Sequence, residues 1–341
     1  MSLEYRFVVM DGGAVDYPEE FRVACRRLGL PATIDNYPHV GPRQFSRTKL
    51  ADIRARLERR HSNEVVCFCP GALEHFIEGP DVSLSFSSYG GWHDPCRRRV
   101  IPHPWSPVRP AEPNALRWTA KPPLNIGFMG SAYSNSRAAR IVANGPGALR
   151  SWLEHGTLVR DVDRVAWLDE HRIPHRYLPT FMRFQALRAV KRAHQQAGDG
   201  VLEIIDTAGF DGSAGQIRGF ADHLQRMTYV LCPRGCENYS FRVFEALSFG
   251  RIPVIIDSDM VLPSSIDWNR LAIVVPLERV DDIYDRIVRD HRERTAIDFA
   301  ERQEAALALG AYLAGDGWLA DEVRLALEQR DLFTLQSLCV A

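Results

Sequence analysis

The chain has 341 residues, 45% apolar and 25% charged, a balance that excludes a disordered polymer and supplies enough apolar material for two cores of ordinary size. A formal net charge of −1 argues against nucleic acid as a partner, because a phosphate-tracking surface needs a basic excess. No stretch approaches the ~20 apolar residues of a membrane span, the first ten residues lack the basic-then-apolar order of a signal peptide, and the seven cysteines have no framework spacing, which fits reduced thiols in a cytoplasmic protein.

In chain order, Tyr5–Met10 is expected as a strand, broken by Asp11-Gly12-Gly13, and Pro18–Leu28 as an amphipathic helix. Thr48–Arg60 is expected as a second helix inside a basic run of Arg43, Arg47, Lys49, Arg54, Arg56, Arg59 and Arg60. Such a run is ordinarily a solvated face; the alternative is a surface for an anionic acceptor or for peripheral contact with the inner face of a membrane. Glu64–Phe68 is a buried strand and Val82–Phe86 alternates like one, ahead of an irregular stretch rich in Gly, His and Pro. Seven prolines then fall between Pro102 and Pro123, where missing amides and fixed φ hold the chain extended as a linker.

A second unit opens with the strand Leu124–Met129 running into Gly130-Ser131, and later strands are expected at Val201–Ile205, Tyr229–Cys232, Ile252–Ile256 and Leu271–Val275. Gly215–Met227, Ser240–Phe249, Val280–His291, Thr295–Leu313 and Ala320–Arg330 read as helices. Strands alternating with helices imply α/β lobes with parallel sheets. The divisions are a first lobe over 1–119, a second over 120–300 and closing helices over 301–341, with ligands expected in a cleft between lobes at the carboxyl ends of the strands.

The segment from Tyr229 to Asp259 carries the most chemistry. Ser240 is placed as an N-cap whose hydroxyl meets a free amide of the first turn. Gly250 suits the left-handed position that ends the helix, and Val243, Phe244 and Leu247 form its apolar stripe. Arg242 and Glu245, three residues apart, share a face. A cation in the first turn opposes the helix dipole, which makes sense if a diphosphate sits at that helix end. Arg234 in the preceding loop is a second candidate for the phosphate. Glu245 can accept two hydrogen bonds from a ribose diol, and Glu237, eight positions earlier, can project toward the same ligand. The plain alternative is an exposed Arg–Glu pair worth only about 0.3–0.5 kcal/mol.

Other features compete. Asp161-Val-Asp163 and Asp257-Ser-Asp259 have the triplet form that holds a divalent metal on a diphosphate, but the triplet is common by chance. Gly127-Phe-Met-Gly130-Ser131, followed by Ser134, Arg137 and Arg140, could supply amides and a cation from the other side of the pocket, although it is not a dinucleotide fingerprint.

Leu231-Cys-Pro-Arg-Gly, Ser240-Phe-Arg-Val-Phe-Glu-Ala-Leu, Gly250-x-Ile-Pro-Val-Ile-Ile, Leu262-Pro263 and Asp267-Trp268 occur in consistent order, and together resemble the exostosin family of glycosyltransferases. The likeness runs from about Gly215 to Ile287; the first 119 residues share none of it. It implies a two-Rossmann-lobe (GT-B) fold, a nucleotide-sugar donor, most simply a UDP-sugar, and inversion at the anomeric carbon. By position Arg242 and Glu245 match the family's arginine and glutamate on the donor-lobe helix. Hexosyl or glucuronosyl transfer to a glycan or lipid-linked acceptor in polysaccharide synthesis follows, with neither metal nor cofactor called for. The Glu237–Glu245 spacing is also that of retaining two-lobed transferases, which leaves the stereochemistry open. Animal members of the family carry a membrane anchor and often a second catalytic domain; this chain shows neither, suggesting a compact bacterial relative.

An inverting transfer needs a general base from the first lobe. Asp11, closing the first strand beside two glycines, is the leading candidate and His93 the next, with Asp94 and His103 in the same irregular stretch. A nucleotide-sugar epimerase or a non-catalytic nucleotide-sugar-binding protein would share the donor residues.

Overall fold

A computed structural model describes residues 5–11, 17–38, 64–68, 83–86, 93, 95, 98–111, 117–131, 177–207, 209–235 and 238–340. The basic run between Arg43 and Arg60 lies outside them. The chain forms two compact units: 1–103 with 259–266 and 312–341, and 104–258 with 267–311.

In the first unit, strands β1 (Tyr5–Asp11), β2 (Ala32–Pro38), β3 (Glu64–Phe68), β4 (Ser83–Ser85) and β5 (Arg98–Val100) form a sheet in the order β2-β1-β3-β4-β5. Every described pairing is parallel. Helix α1 (Tyr17–Arg27) buries Tyr17, Phe21, Ala24 and Cys25 on one side, the periodic stripe the sequence shows. β2 and β5 were missed because β2 mixes Thr33, Asp35 and Asn36 among its apolar residues and β5 is three residues opening on two arginines, so neither has an apolar run to mark it.

In the second unit, β6 (Asn125–Gly130), β7 (Val201–Asp206), β8 (Tyr229–Cys232), β9 (Ile252–Asp257) and β10 (Ile273–Pro276) run in the order β10-β9-β8-β6-β7, again parallel. Counted within each unit, both sheets have the order 2-1-3-4-5. The expected Rossmann-like α/β lobes are therefore present in the topology of both units. Helices α2 (Tyr177–Ala197), α3 (Ala214–Arg226) and α4 (Phe241–Ser248) make the crossovers of the second sheet. The short α5 (Trp268–Leu271), a 3₁₀ turn over Leu277–Asp282 and α6 (Ile283–Glu293) follow. All four residues of β8 are buried, as a strand covered on both faces requires. Pro253 stands in β9 without breaking it, because Ile252 donates to Thr228 on the β8 side and the β10 ladder begins only at Val254.

Two expectations about the chain's course change. The proline-rich stretch is more than a spacer: Ile101 and His103 are buried in the first unit and Val108 in the second, and the division falls between His103 and Pro104. Past α7 (Ala296–Ala314), the closing helix α8 (Trp318–Val340) belongs to the first unit, where it packs on α1. There Glu322, buried on α8, accepts from Arg99 Nε at 2.5 Å and from Ser265 Oγ at 2.6 Å. A buried carboxylate left without these donors would be strongly destabilising, so the pair fixes where α8 lands. Among the described residues no helix is long and apolar enough to cross a membrane.

His103 is only 2% exposed, hydrogen-bonded to the Tyr17 hydroxyl at 2.7 Å and edge-on to Phe86. Burial pushes its imidazole down to about 3, so it is neutral in the folded protein while an unfolded histidine titrates near 6.5. The unfolded state therefore binds the extra proton first, and this contribution to stability is present above pH ~6.5 and lost as the pH falls toward 3. At pH 4.5 the wild type should have lost on the order of 2 kcal/mol more of its pH 7 stability than His103→Gln. Urea denaturation of both proteins at the two pH values checks this, and parallel losses would contradict it.

Candidate functional site

In a sheet of order 2-1-3-4-5 the crossovers change direction between the first and third strands, and the loops beyond their carboxyl ends diverge to leave a ligand crevice. In the second unit those strands are β6 and β8, ending at Gly130 and Cys232. The loop after β8 turns tightly, with the Gly235 amide donating to the Tyr239 carbonyl at 2.8 Å. Asn238 is fully buried and accepts from Ser258 Oγ at 2.7 Å, tying the loop to the end of β9.

Ser240 has the extended backbone of an N-cap, yet its side chain makes no capping bond, contrary to expectation. Its carbonyl accepts from Val243 N at 3.1 Å and the residue is buried. Gly250 ends the segment at φ 66, where a Cβ would also lie 2.8 Å from Gln303 Cγ, so the left-handed stop is as expected.

The buried set on α4 is Val243, Glu245, Ala246 and Leu247, with Phe244 half-buried. The carboxylate thus takes a place in the core that the apolar pattern assigned to Phe244. Glu245 is 6% exposed. Its Oε2 accepts from Arg242 and its Oε1 from Ser106 Oγ at 2.6 Å, and Ser106 Oγ in turn accepts from the Val108 amide at 3.1 Å. The Arg242 guanidinium lies 3.8 Å over the Phe220 ring of α3. A Cβ on Gly130 would stand 3.1 Å from the Phe128 ring and 3.5 Å from Arg242 NH2, an ordinary contact distance, so the end of β6 lies directly beside the cation.

The exposed-pair reading does not fit this arrangement. Desolvating an Arg–Glu pair costs more than most such pairs return, and apolar residues of similar size would serve stability as well. A charged pair kept there, at the carboxyl ends of the switch-point strands, points to a ligand.

Arg234 is buried at 4% exposure, and its carbonyl accepts from Arg183 NH2 at 3.0 Å. Ser131, directly after β6, gives its carbonyl to Arg183 NH1. The structure therefore gathers Gly130, Ser131, Arg234, Ser240, Arg242 and Glu245 around one end of one sheet. Glu237 and Arg137 lie outside the described residues, as do Ser134, Arg140, Asp94, Asp161 and Asp163. Asp257 ends β9 and Asp259 adopts a left-handed φ of 63. Among the described residues no three His, Cys, Asp or Glu side chains group as a metal site. In the first unit Asp11 ends β1, one of the two switch-point strands of that sheet, and His93 is half-buried.

Sequence reasoning missed Ser106, Phe220 and Arg183. The first sits in the proline-rich stretch, the second in an apolar helical stripe and the third in a helix without a motif; none has a local signal.

Residues 160–290 match the family model of the Exostosin GT47 domain. A probable glucuronosyltransferase of Oryza sativa subsp. japonica, GUT1, is 40% identical over 76 residues, 22% of this chain and 18% of that relative. The probable beta-1,4-xylosyltransferase IRX10 of Arabidopsis thaliana is 37% identical over 76 residues, also 22% and 18%. The Exostosin-1 homolog of Caenorhabditis elegans is 35% identical over 102 residues, 29% of this chain and 26% of that one. These matches span about a fifth to a quarter of the relatives' length. A solved structure of HepE from Anabaena in complex with UDP and glucose aligns over 94% of this chain and 99% of that chain, with 9% identity and a TM-score of 0.40. Residues 160–290 are thus similar to the exostosin domain over the stretch where the sequence resemblance lies, and Arg183, Arg234, Arg242 and Glu245 all fall within the matched span.

Ser106→Ala should remove a hydrogen bond to a buried carboxylate and cost about 1.5–3 kcal/mol of unfolding free energy. Urea denaturation reads the loss; an unchanged midpoint would mean that Ser106 does not hold Glu245 in solution.

Proposed function

We propose that the protein is a glycosyltransferase that moves a sugar from a nucleotide diphosphate sugar to a glycan or lipid-linked acceptor, with the donor held by the second unit. The observation that carries this reading is the buried Arg242–Glu245 pair at the switch point of a parallel sheet, inside the segment that matches the Exostosin GT47 domain. The names of the relatives, glucuronosyl- and xylosyltransferases, favour a UDP-linked hexuronosyl, hexosyl or pentosyl donor.

The residues divide the work by chemistry. A guanidinium has five N–H donors in a plane, so Arg242 can hold Glu245 and still present donors to a diphosphate oxygen. Amides at the start of α4, which Ser240 does not cap, face the same charge. The carboxylate of Glu245 has lone pairs beyond those used by Arg242 and Ser106, and these accept the hydroxyls of a ribose. With arginine and a helix end neutralising the diphosphate, the transfer proceeds without a metal.

The acceptor hydroxyl must lose its proton as the new bond forms. We assign that proton to Asp11 and keep His93 as the alternative base. His103 is unsuited, since burial holds its imidazole near 3 and Tyr17 occupies its Nε2. Displacement from the face opposite the leaving nucleotide inverts the anomeric carbon.

Arg242→Ala should weaken UDP binding at least tenfold through loss of a charge-assisted bond worth about 1.5–3 kcal/mol. Glu245→Gln should weaken uridine as well as UDP. Calorimetric titrations of the folded variants measure both, and unchanged affinities would place the donor elsewhere.

Asp11→Asn should lower kcat by roughly 10²–10⁴-fold with UDP affinity nearly intact, and an α-linked donor should give a β-linked product. Full activity in Asp11→Asn moves the base to His93, while a retained configuration removes the inverting mechanism. Donor turnover without an acceptor would indicate an epimerase instead.

A further inference from the structure

We propose that Arg183 is a positioning residue that sets the phosphate end of the donor site, an inference that rests on the donor-site reading above. Arg183 belongs to α2, the crossover from β6 to β7, whose Met182, Ala186, Leu187 and Val190 lie in the core of the second unit. A crossover helix runs antiparallel to the strands it joins, so its first turns lie at their carboxyl edge. Arg183, the seventh residue of α2, is thereby delivered to the loops at the switch point.

Its two terminal nitrogens go to two backbone carbonyls in different loops. NH1 donates to Ser131, the first residue after β6, and NH2 donates to Arg234, the second residue after β8. The guanidinium is a rigid planar fork, so two bonds from one group fix the separation of the carbonyls as well as holding each of them. A lysine carries one nitrogen and cannot bridge the pair in fixed geometry. Neither residue belongs to a strand, and the two loops they open follow β6 and β8.

The clamped loops have one thing in common. Ser131 follows Gly130, which lies beside Arg242, and Arg234 opens the turn that the Gly235 amide closes onto Tyr239. These elements border the cationic end of the site. The carboxylate end has, besides its bond from Arg242, a hold that the clamp does not touch: Ser106, itself fixed by the Val108 amide. Loss of the clamp should therefore loosen the diphosphate part of the pocket and leave the nucleoside part in place. Such a split separates positioning from general stability, because a merely less stable protein binds both ligands in proportion to its folded fraction.

The experiment titrates Arg183→Met and Arg183→Lys with UDP and with uridine, below the midpoint of thermal unfolding of each variant. The expected result is a rise in the UDP Kd of roughly tenfold for both variants, as for a displaced but intact site, with uridine unchanged within about twofold. If Arg183→Met does not fold, Arg183→Lys, which keeps the charge and most of the stem, carries the same test. Equal weakening of UDP and uridine, or no change in either, overturns the inference. Failure of the donor-site reading looks different: wild-type protein that binds no nucleoside diphosphate removes both proposals. Weaker UDP binding in Arg242→Ala beside unaltered Arg183 variants removes this one alone.

Discussion

A carboxylate in the core of a helix face is the constraint from which much of the second unit follows. Glu245 takes a position that a leucine would fill at no electrostatic penalty, and once there it must be satisfied on both oxygens. Arg242 satisfies one and then needs a place for its own bulk. Phe220 provides a ring face against it, and Gly130 at the end of β6 lies beside it. Ser106 satisfies the other, which draws the proline-rich stretch onto the unit and buries Val108. A helix, a strand end, a second helix and a linker are thus placed by one charge.

The same strand order in both units gives each sheet one switch point, and the candidate residues fall at those points. Gly130 and Cys232 end the relevant strands in the second sheet, while Asp11 and Phe68 end them in the first. The topology explains why residues far apart in sequence, such as Ser131 and Arg234, come within reach of a single side chain. It does not by itself select a chemistry; the side chains at the strand ends do that.

Strands that are continuous apolar runs were readable from sequence almost to the residue. Tyr229–Cys232 and Glu64–Phe68 have the bounds expected for them, and α3 and α7 differ by about one residue at each end. Arg242 and Glu245 were also readable, because helical spacing and the order of the surrounding motif coincide. What the pattern could not show was burial: three-residue spacing is the same for an exposed pair and a buried one, and only the packing of α4 on the sheet decides between them. The partners from other elements were invisible for a related reason. A serine among prolines, a phenylalanine in an apolar stripe and an arginine on a long helix are each ordinary locally, and acquire a role only through the long-range contact.

Two arginines of this unit hold backbone rather than carboxylate. Arg183 takes the carbonyls of Ser131 and Arg234, and Arg251, buried deeply enough that its guanidinium is pushed down to about 10, takes those of Leu224 and Gln225 near the end of α3. The last carbonyls of a helix lack the amides of a following turn, so Arg251 gives one donor to Gln225 and another to Leu224, which also accepts from the Met227 amide, and fixes that end against the start of β9. At Gly127 a Cβ would collide with Met227 and His223, so α3 is also pressed directly onto β6. Phe220 is carried by the same helix, and its ring is the surface on which Arg242 lies. A cation at one end of α3 therefore sets the height of the platform under the cation at the site. Through α3 the geometry of Arg242 is bound to the packing of the sheet, and loosening Arg251 should reach the candidate site without touching any of its residues.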